Sequence, residues 1–66
     1  MELLIIKSGQ DYIRFKDETY LLVKLEKASV FPFDQMELVR NHEARLKEKE
    51  FKAVCIKKLV LTEKDL

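Results

Sequence analysis

Residues 12–25 read YIRFKDETYLLVKL and contain the clearest strand pattern in the chain. Polar and apolar side chains alternate with period two over residues 12–16, which is typical of a half-buried strand. Residues 19–25 are again rich in β-branched, aromatic and aliphatic side chains. Asp17-Glu18 lies between the two runs and predicts a two-residue turn. The stretch therefore predicts an antiparallel hairpin.

A two-residue turn also fixes which side chains share a face of this hairpin. Phe15 then lies opposite Tyr20, and Ile13 lies opposite Leu22, so that these four side chains share one face. The alternate positions of the second strand point to the other face. Those residues are Leu21, Val23 and Leu25.

Upstream of the hairpin, residues 3–6 read LLII and predict a short buried strand. Ser8-Gly9-Gln10-Asp11 follows, and Gly9 can adopt the positive φ that a tight hairpin loop requires. Together with the hairpin, this strand predicts a three-stranded antiparallel meander.

Downstream, residues 28–33 predict a connection that leads into a helix over residues 35–49. Asp34 is the predicted N-cap, and Glu37 three residues later completes a capping-box pattern. Phe33 and Leu38 have the spacing of a hydrophobic staple around this cap. Met36, Val39 and Leu46 form the apolar seam of the helix, with Glu43 near its middle.

After residue 51 the strand pattern returns and continues to residue 61, while residues 62–66 form a charged tail that we expect to fray. The predicted order is βββαβ, an α+β fold with a single domain over residues 1–66. A right-handed crossover through the helix predicts a last strand parallel to one of the others. If it lies beside the first strand, the spatial order is 4-1-2-3.

The predicted core combines the inward positions of the strands with the helix seam. Its members are Leu4, Ile6, Ile13, Phe15, Tyr20, Leu22, Met36, Val39, Leu46, Val54, Ile56 and Val60.

Composition sets limits on function. The 66 residues include 13 Lys and Arg against 12 Asp and Glu, a net charge of +1, so no strong overall field attracts nucleic acid or an anionic membrane. A single cysteine excludes an intrachain disulfide and, with no basic export signal at the start, predicts a cytoplasmic location. The short apolar run at residues 3–6 predicts no membrane segment.

The predicted sheet is apolar on both faces, although one helix can cover only one of them. Two explanations have equal weight. In the first, the sheet curls, and loops with Phe31, Phe33 and Phe51 cover the second face. In the second, that face packs on another chain, and a symmetric homodimer is its commonest form. The candidate interface residues are Leu21, Val23 and Leu25.

No spacing in the sequence predicts a catalytic, cofactor-binding or metal site. His42 is interpreted as solvated helix surface, and Cys55 as a small structural hydrophobe of the last strand. The leading hypothesis is a non-enzymatic protein-interaction or accessory module that self-associates. The alternative is a nucleic-acid-binding module in which Tyr12, Arg14 and Lys16 alternate onto one strand face.

Overall fold

The structure, a computed structural model, describes residues 2–60, so the predicted frayed tail lies outside the described residues. It is an antiparallel sheet of five strands with one helix, which confirms the predicted α+β class. The elements are β1 (Glu2–Ser8), β2 (Asp11–Lys16), β3 (Thr19–Val23), β4 (Phe31–Pro32), α1 (Met36–Glu48) and β5 (Val54–Val60).

Strand β1 is the centre of the sheet. One edge pairs with β5 over seven residues, from Glu2 opposite Val60 to Ser8 opposite Val54. The other edge is shared, because β2 pairs with the end of β1 and β4 pairs with its beginning. The order β5-β1-β2-β3 confirms the predicted position of the last strand beside the first.

Within residues 2–60, β5 pairs only with β1, and this pairing is antiparallel. The last strand therefore runs parallel to β2 and β4, with which it does not pair. The strand β4 was not predicted, because its residues read as part of a connection. Because β4 is also antiparallel to β1, it turns the chain before the helix begins. Helix α1 therefore joins two strands, β4 and β5, that run in the same direction on opposite sides of β1.

Strands β1 and β2 pair at only two positions and then diverge. The backbone N–H of Ser29 donates to the carbonyl oxygen of Ile13 at 3.1 Å. In return, the N–H of Phe15 donates to the Ser29 hydroxyl at 2.9 Å. Residues 29–32 thus fill the gap between the two strands and satisfy backbone groups that the divergence would leave unpaired.

The β2–β3 hairpin has the predicted register, with Phe15 opposite Tyr20. Both residues of its turn have positive φ, 51° at Asp17 and 62° at Glu18, as a type I′ turn requires. The β1–β2 turn also uses the predicted glycine, since Gly9 has a φ of 60°.

The predicted helix cap is wrong. Asp34 lies inside a 3₁₀ turn (Phe33–Gln35), and the residue before α1 is Gln35, whose side chain makes no capping hydrogen bond within residues 2–60. This turn shifts the register of the first α-helical residues, so the capping box with Glu37 does not form. The staple is also absent in this register, and Phe33 and Leu38 are both exposed.

Helix α1 ends in a Schellman motif. Glu50 has a φ of 65°, and its N–H donates to the carbonyl of Lys47 at 3.1 Å. The next N–H, from Phe51, donates to the carbonyl of Leu46, also at 3.1 Å. Phe51 and Leu46 belong to the same apolar cluster, which is the hydrophobic contact that usually accompanies this motif.

The core lies between α1 and one face of the sheet. Two of its predicted members are wrong, because Leu22 and Val60 are 55% and 56% exposed. Both lie on edge strands, and a helix of 13 residues, about 20 Å long, does not reach them. The buried residues of this cluster are Leu4, Ile6, Ile13, Val39 and Leu46, surrounded by the partly buried Tyr20, Phe31, Met36, Phe51, Val54 and Ile56.

The Schellman motif yields a stability prediction. Glu50→Gly should raise the free energy of unfolding by about 0.5–1 kcal/mol, because glycine adopts positive φ without a Cβ clash. Urea denaturation measures the change. Glu48→Gly, two residues earlier inside the helix, is the matched control and should lower stability by about 1 kcal/mol. Equal losses in both variants would contradict the prediction.

Candidate binding face

The face of the sheet opposite α1, called the outer face, is defined by the strand register. Directly paired residues point to the same face, and the pairs that alternate with the core pairs point away from the helix. The outer-face residues of the four longer strands are Leu3, Ile5 and Lys7; Tyr12, Arg14 and Lys16; Thr19, Leu21 and Val23; and Cys55, Lys57 and Leu59.

The outer face brings together the two sets of predicted site residues. Tyr12 lies opposite Val23, and Arg14 lies opposite Leu21, so the candidate nucleic-acid residues and the candidate interface residues share one surface. Leu25 is not part of it, because Leu25 begins a 3₁₀ turn (Leu25–Lys27) beyond the end of β3. The two functional hypotheses therefore concern the same part of the molecule.

Charge is distributed unevenly over the sheet. Four of the twelve outer-face residues are basic, and none of these twelve is Asp or Glu. The acidic strand residues Glu2 and Asp11 both lie at positions of the opposite, helix-covered face. The net charge of +1 gives no indication of this separation.

The basic residues of the outer face also lack carboxylate partners among residues 2–60. On the other face, by contrast, the Nζ of Lys58 lies 2.9 Å from a carboxylate oxygen of Glu2, and this hydrogen bond lowers the pKa of Glu2. On the helix surface, Lys47 pairs with Glu43 at 3.8 Å.

Arg14 has a different partner, since its Nη1 donates to the carbonyl oxygen of Lys27 at 3.4 Å. This contact is solvent-exposed, and it leaves the positive charge unneutralised.

The basic residues form an arc with an aromatic ring in it. Lys57 and Lys7 lie on neighbouring strands, two positions apart in register, and Lys7 is directly opposite Tyr12. The Nζ of Lys7 lies 5.5 Å from the centroid of the Tyr12 ring, a cation–π contact. Arg14 and Lys16 follow along β2. We call these five residues the basic arc.

Aliphatic side chains border the basic arc on both sides. Leu21 and Val23 lie outside it on β3, and Leu21 is 45% exposed. On the inner side, Ile5 is only 3% exposed although it points away from the helix. The first explanation for the two-faced sheet is therefore correct in part, since the centre of the outer face is covered. The residues named for that cover are wrong, because Phe31 and Phe51 pack on the helix side and Phe33 is exposed.

The sequence predicted that His42 lies on the solvated surface of α1. This prediction is wrong, because His42 lies on the buried side of the helix. It is 5% exposed, and its Nδ1 lies 2.7 Å from the Tyr20 hydroxyl. The rings of Phe15 and Phe31 lie 4.7 and 5.6 Å from it, centroid to centroid. Val39, His42 and Leu46 are the buried helix residues, so the histidine completes the seam in which Glu43 was expected.

The structure also separates the two side chains that could serve nucleophilic chemistry. Cys55 points to the outer face, opposite Lys7, whereas His42 packs on the other side of the sheet. They cannot form a nucleophile–base pair in this arrangement. Among residues 2–60, no group of three or more His, Cys, Asp and Glu is placed to hold a metal ion.

A shallow groove of about 570 Å³ opens at the end of the molecule where α1 ends. It is bounded by the β1–β2 turn, by Leu22 and by residues 49–52. Leu22, a predicted core residue, is thus one wall of this groove. Its charged lining residues are two acidic ones, Asp11 and Glu50, and two basic ones, Lys49 and Lys52, so the groove has no net charge that favours a cation or an anion.

Comparisons with known proteins assign no family. No family model, no curated protein and no solved structure matches this chain. Within residues 2–60, the helix is too short and too polar to cross a membrane.

The buried histidine gives the fold a pH dependence. Burial lowers the pKa of His42, and the nearby positive charge of Arg45 lowers it further. In the unfolded chain this pKa returns to about 6.5. As the pH falls below that value, the unfolded state takes up a proton that the native state does not, so stability decreases.

We expect the free energy of unfolding to fall between pH 7 and pH 5.5, with a contribution from His42 of at most about 1.4 kcal/mol per pH unit. His42→Gln keeps a hydrogen-bonding side chain beside Tyr20 but does not titrate. Urea denaturation of both proteins at several pH values isolates the histidine, because their carboxylates are the same. Parallel pH profiles for the two proteins would show that His42 does not contribute.

Proposed function

We propose that this chain is a non-enzymatic binding module and that its outer face binds a negatively charged macromolecule. One observation carries the proposal: the outer face has four basic residues and, among its twelve strand positions, no carboxylate. Most protein surfaces intersperse charges of both signs. A surface of one sign attracts ligands of the opposite sign and raises their association rate.

The apolar part of the outer face supports the same proposal. Leu21 is exposed, and Val23 and Leu59 are half-buried next to the basic arc. Exposed aliphatic groups provide area that becomes dry on binding, while the charges of the basic arc orient the partner. The combination favours a partner with anionic groups and apolar surfaces close together.

Self-association through this face, the leading hypothesis from the sequence, stays a prediction. The charges argue against it. In a symmetric dimer the same patch meets itself, so the four basic residues of one chain would face the four of the other. Like charges brought together at an interface cost several kcal/mol, as a typical magnitude.

Retention on immobilised heparin, a polyanion, tests the proposal. We expect the protein to be retained at low salt although its net charge is only +1. Lys7→Gln/Lys57→Gln should elute at clearly lower salt, because it removes two charges from the outer face. Lys47→Gln/Lys49→Gln removes two charges from the end of the helix and should elute close to the unchanged protein.

Both double variants have the same net charge, and circular dichroism checks that both are folded. Elution of the two variants at the same salt concentration would mean that retention follows net charge alone. In that case the outer face is not the binding surface.

The question of self-association has its own measurement. We expect light scattering coupled to size exclusion to give the mass of one chain across a wide dilution series, because the basic arcs repel each other. A dimer that Leu21→Lys converts to a monomer would contradict this and support the interface predicted from the sequence. Leu38→Lys, at an exposed position on the helix, is the control.

A further inference from the structure

Resting on the proposed function, we infer that the anionic partner of the outer face is a single-stranded nucleic acid. The basic arc supplies the two elements that such binding uses, a path of positive charge for the backbone and an aromatic ring for a base. Lys57, Lys7, Arg14 and Lys16 form the path, and Tyr12 lies within it.

The spacing along the arc suits an extended nucleic-acid strand. Alternate residues of a β-strand are about 6.8 Å apart, which separates Tyr12 from Arg14 and Arg14 from Lys16. This step is close to the backbone repeat of an extended single strand. Arg14 and Lys16 can therefore meet the phosphates of successive nucleotides.

The surroundings of Tyr12 fit a stacked base. The Lys7 ammonium lies over this ring. A stacking base would displace it from the ring face, and the displaced ammonium could then bind the adjoining phosphate. Leu21 and Val23, on the neighbouring strand, offer a flat apolar surface for a base or sugar. Arg14 donates to the carbonyl of Lys27 in this structure, and its other guanidinium N–H groups can donate to a phosphate.

An acidic peptide fits this face less well. A peptide contributes backbone N–H and C=O groups that need partners when they are buried. The backbone of β1 is engaged with β5 along one edge and with β2 and β4 along the other. It therefore has no ladder to offer a peptide that crosses the centre of the face, and a peptide could pair only along the edge strands β3 and β5. Phosphates and base faces need only cations, an aromatic ring and apolar contacts, which the side chains of this face supply.

A fluorescence anisotropy titration with a labelled 12-nucleotide DNA of mixed sequence tests the inference. With four phosphate contacts, the logarithm of the association constant should fall against the logarithm of salt concentration with a slope of about −2.8. Lys57→Gln should reduce that slope by about 0.7. Lys58→Gln is the matched control, because Lys58 is adjacent in sequence but lies on the other face, paired with Glu2.

The aromatic part of the inference has a separate readout. Tyr12→Ala should weaken binding roughly tenfold, whereas Tyr12→Phe keeps the ring and should bind with nearly unchanged affinity. Thermal unfolding of both variants checks that the fold is intact. If Tyr12→Ala does not fold, Lys57→Gln and Lys58→Gln still decide the question through their salt slopes.

Two competitors separate the possible partners. Unlabelled single-stranded DNA should displace the labelled strand, and a polyglutamate peptide of equal charge should not. Equal competition by polyglutamate would overturn the inference in favour of an acidic protein. Heparin retention that depends on the outer face, without oligonucleotide binding at low salt, would overturn only the nucleic-acid assignment. Failure of both assays would overturn the proposed function as well.

Discussion

The rest of the structure depends on the pairing of β1 along both of its edges. Seven residues of β1 bond to β5 on one side, and β2 and β4 divide the other side between them. A strand in this position has a neighbouring strand along each edge. Its consecutive residues Leu4, Ile5 and Ile6 are all buried, although Ile5 points to the opposite face from the other two. Helix α1 covers one of these faces. On the other face Ile5 is also buried, so the part available for binding is the basic arc and the aliphatic side chains beside it.

The sequence predicted what depends on local pattern. The β2–β3 register follows from alternation and a two-residue turn, because a shift of one residue would expose Ile13 and Phe15 together. The direction of β5 does not follow from any local pattern. It depends on Phe31 and Pro32, two residues that read as a connection and become a strand only because the beginning of β1 lacks a partner on that edge.

The same distinction explains what could be predicted about the candidate site. Tyr12, Arg14 and Lys16 share a strand face by alternation alone, and the hairpin register already places Leu21 and Val23 beside them. Lys7 lies beside Tyr12 because β1 pairs with β2, and Lys57 lies near Lys7 because β5 pairs with β1. The positions of these two lysines could therefore be predicted only from the complete strand order. The burial of His42 was not predicted, because a polar side chain is expected on the surface even at the helical spacing of Val39 and Leu46. Its hydrogen-bond partner Tyr20 is 22 residues away, so no local pattern indicates the contact.

The net charge of +1 indicates no preference for an anionic partner. The sheet topology changes this conclusion, because it collects four basic side chains on one face. A sum over the chain carries no information about position, and interactions at a surface act within about 10 Å at 0.1 M salt. The strand positions of the outer face present four basic side chains to a ligand, whereas the acidic strand residues Glu2 and Asp11 point to the opposite face. A protein that is nearly neutral as a whole can thus act as a cation at one surface.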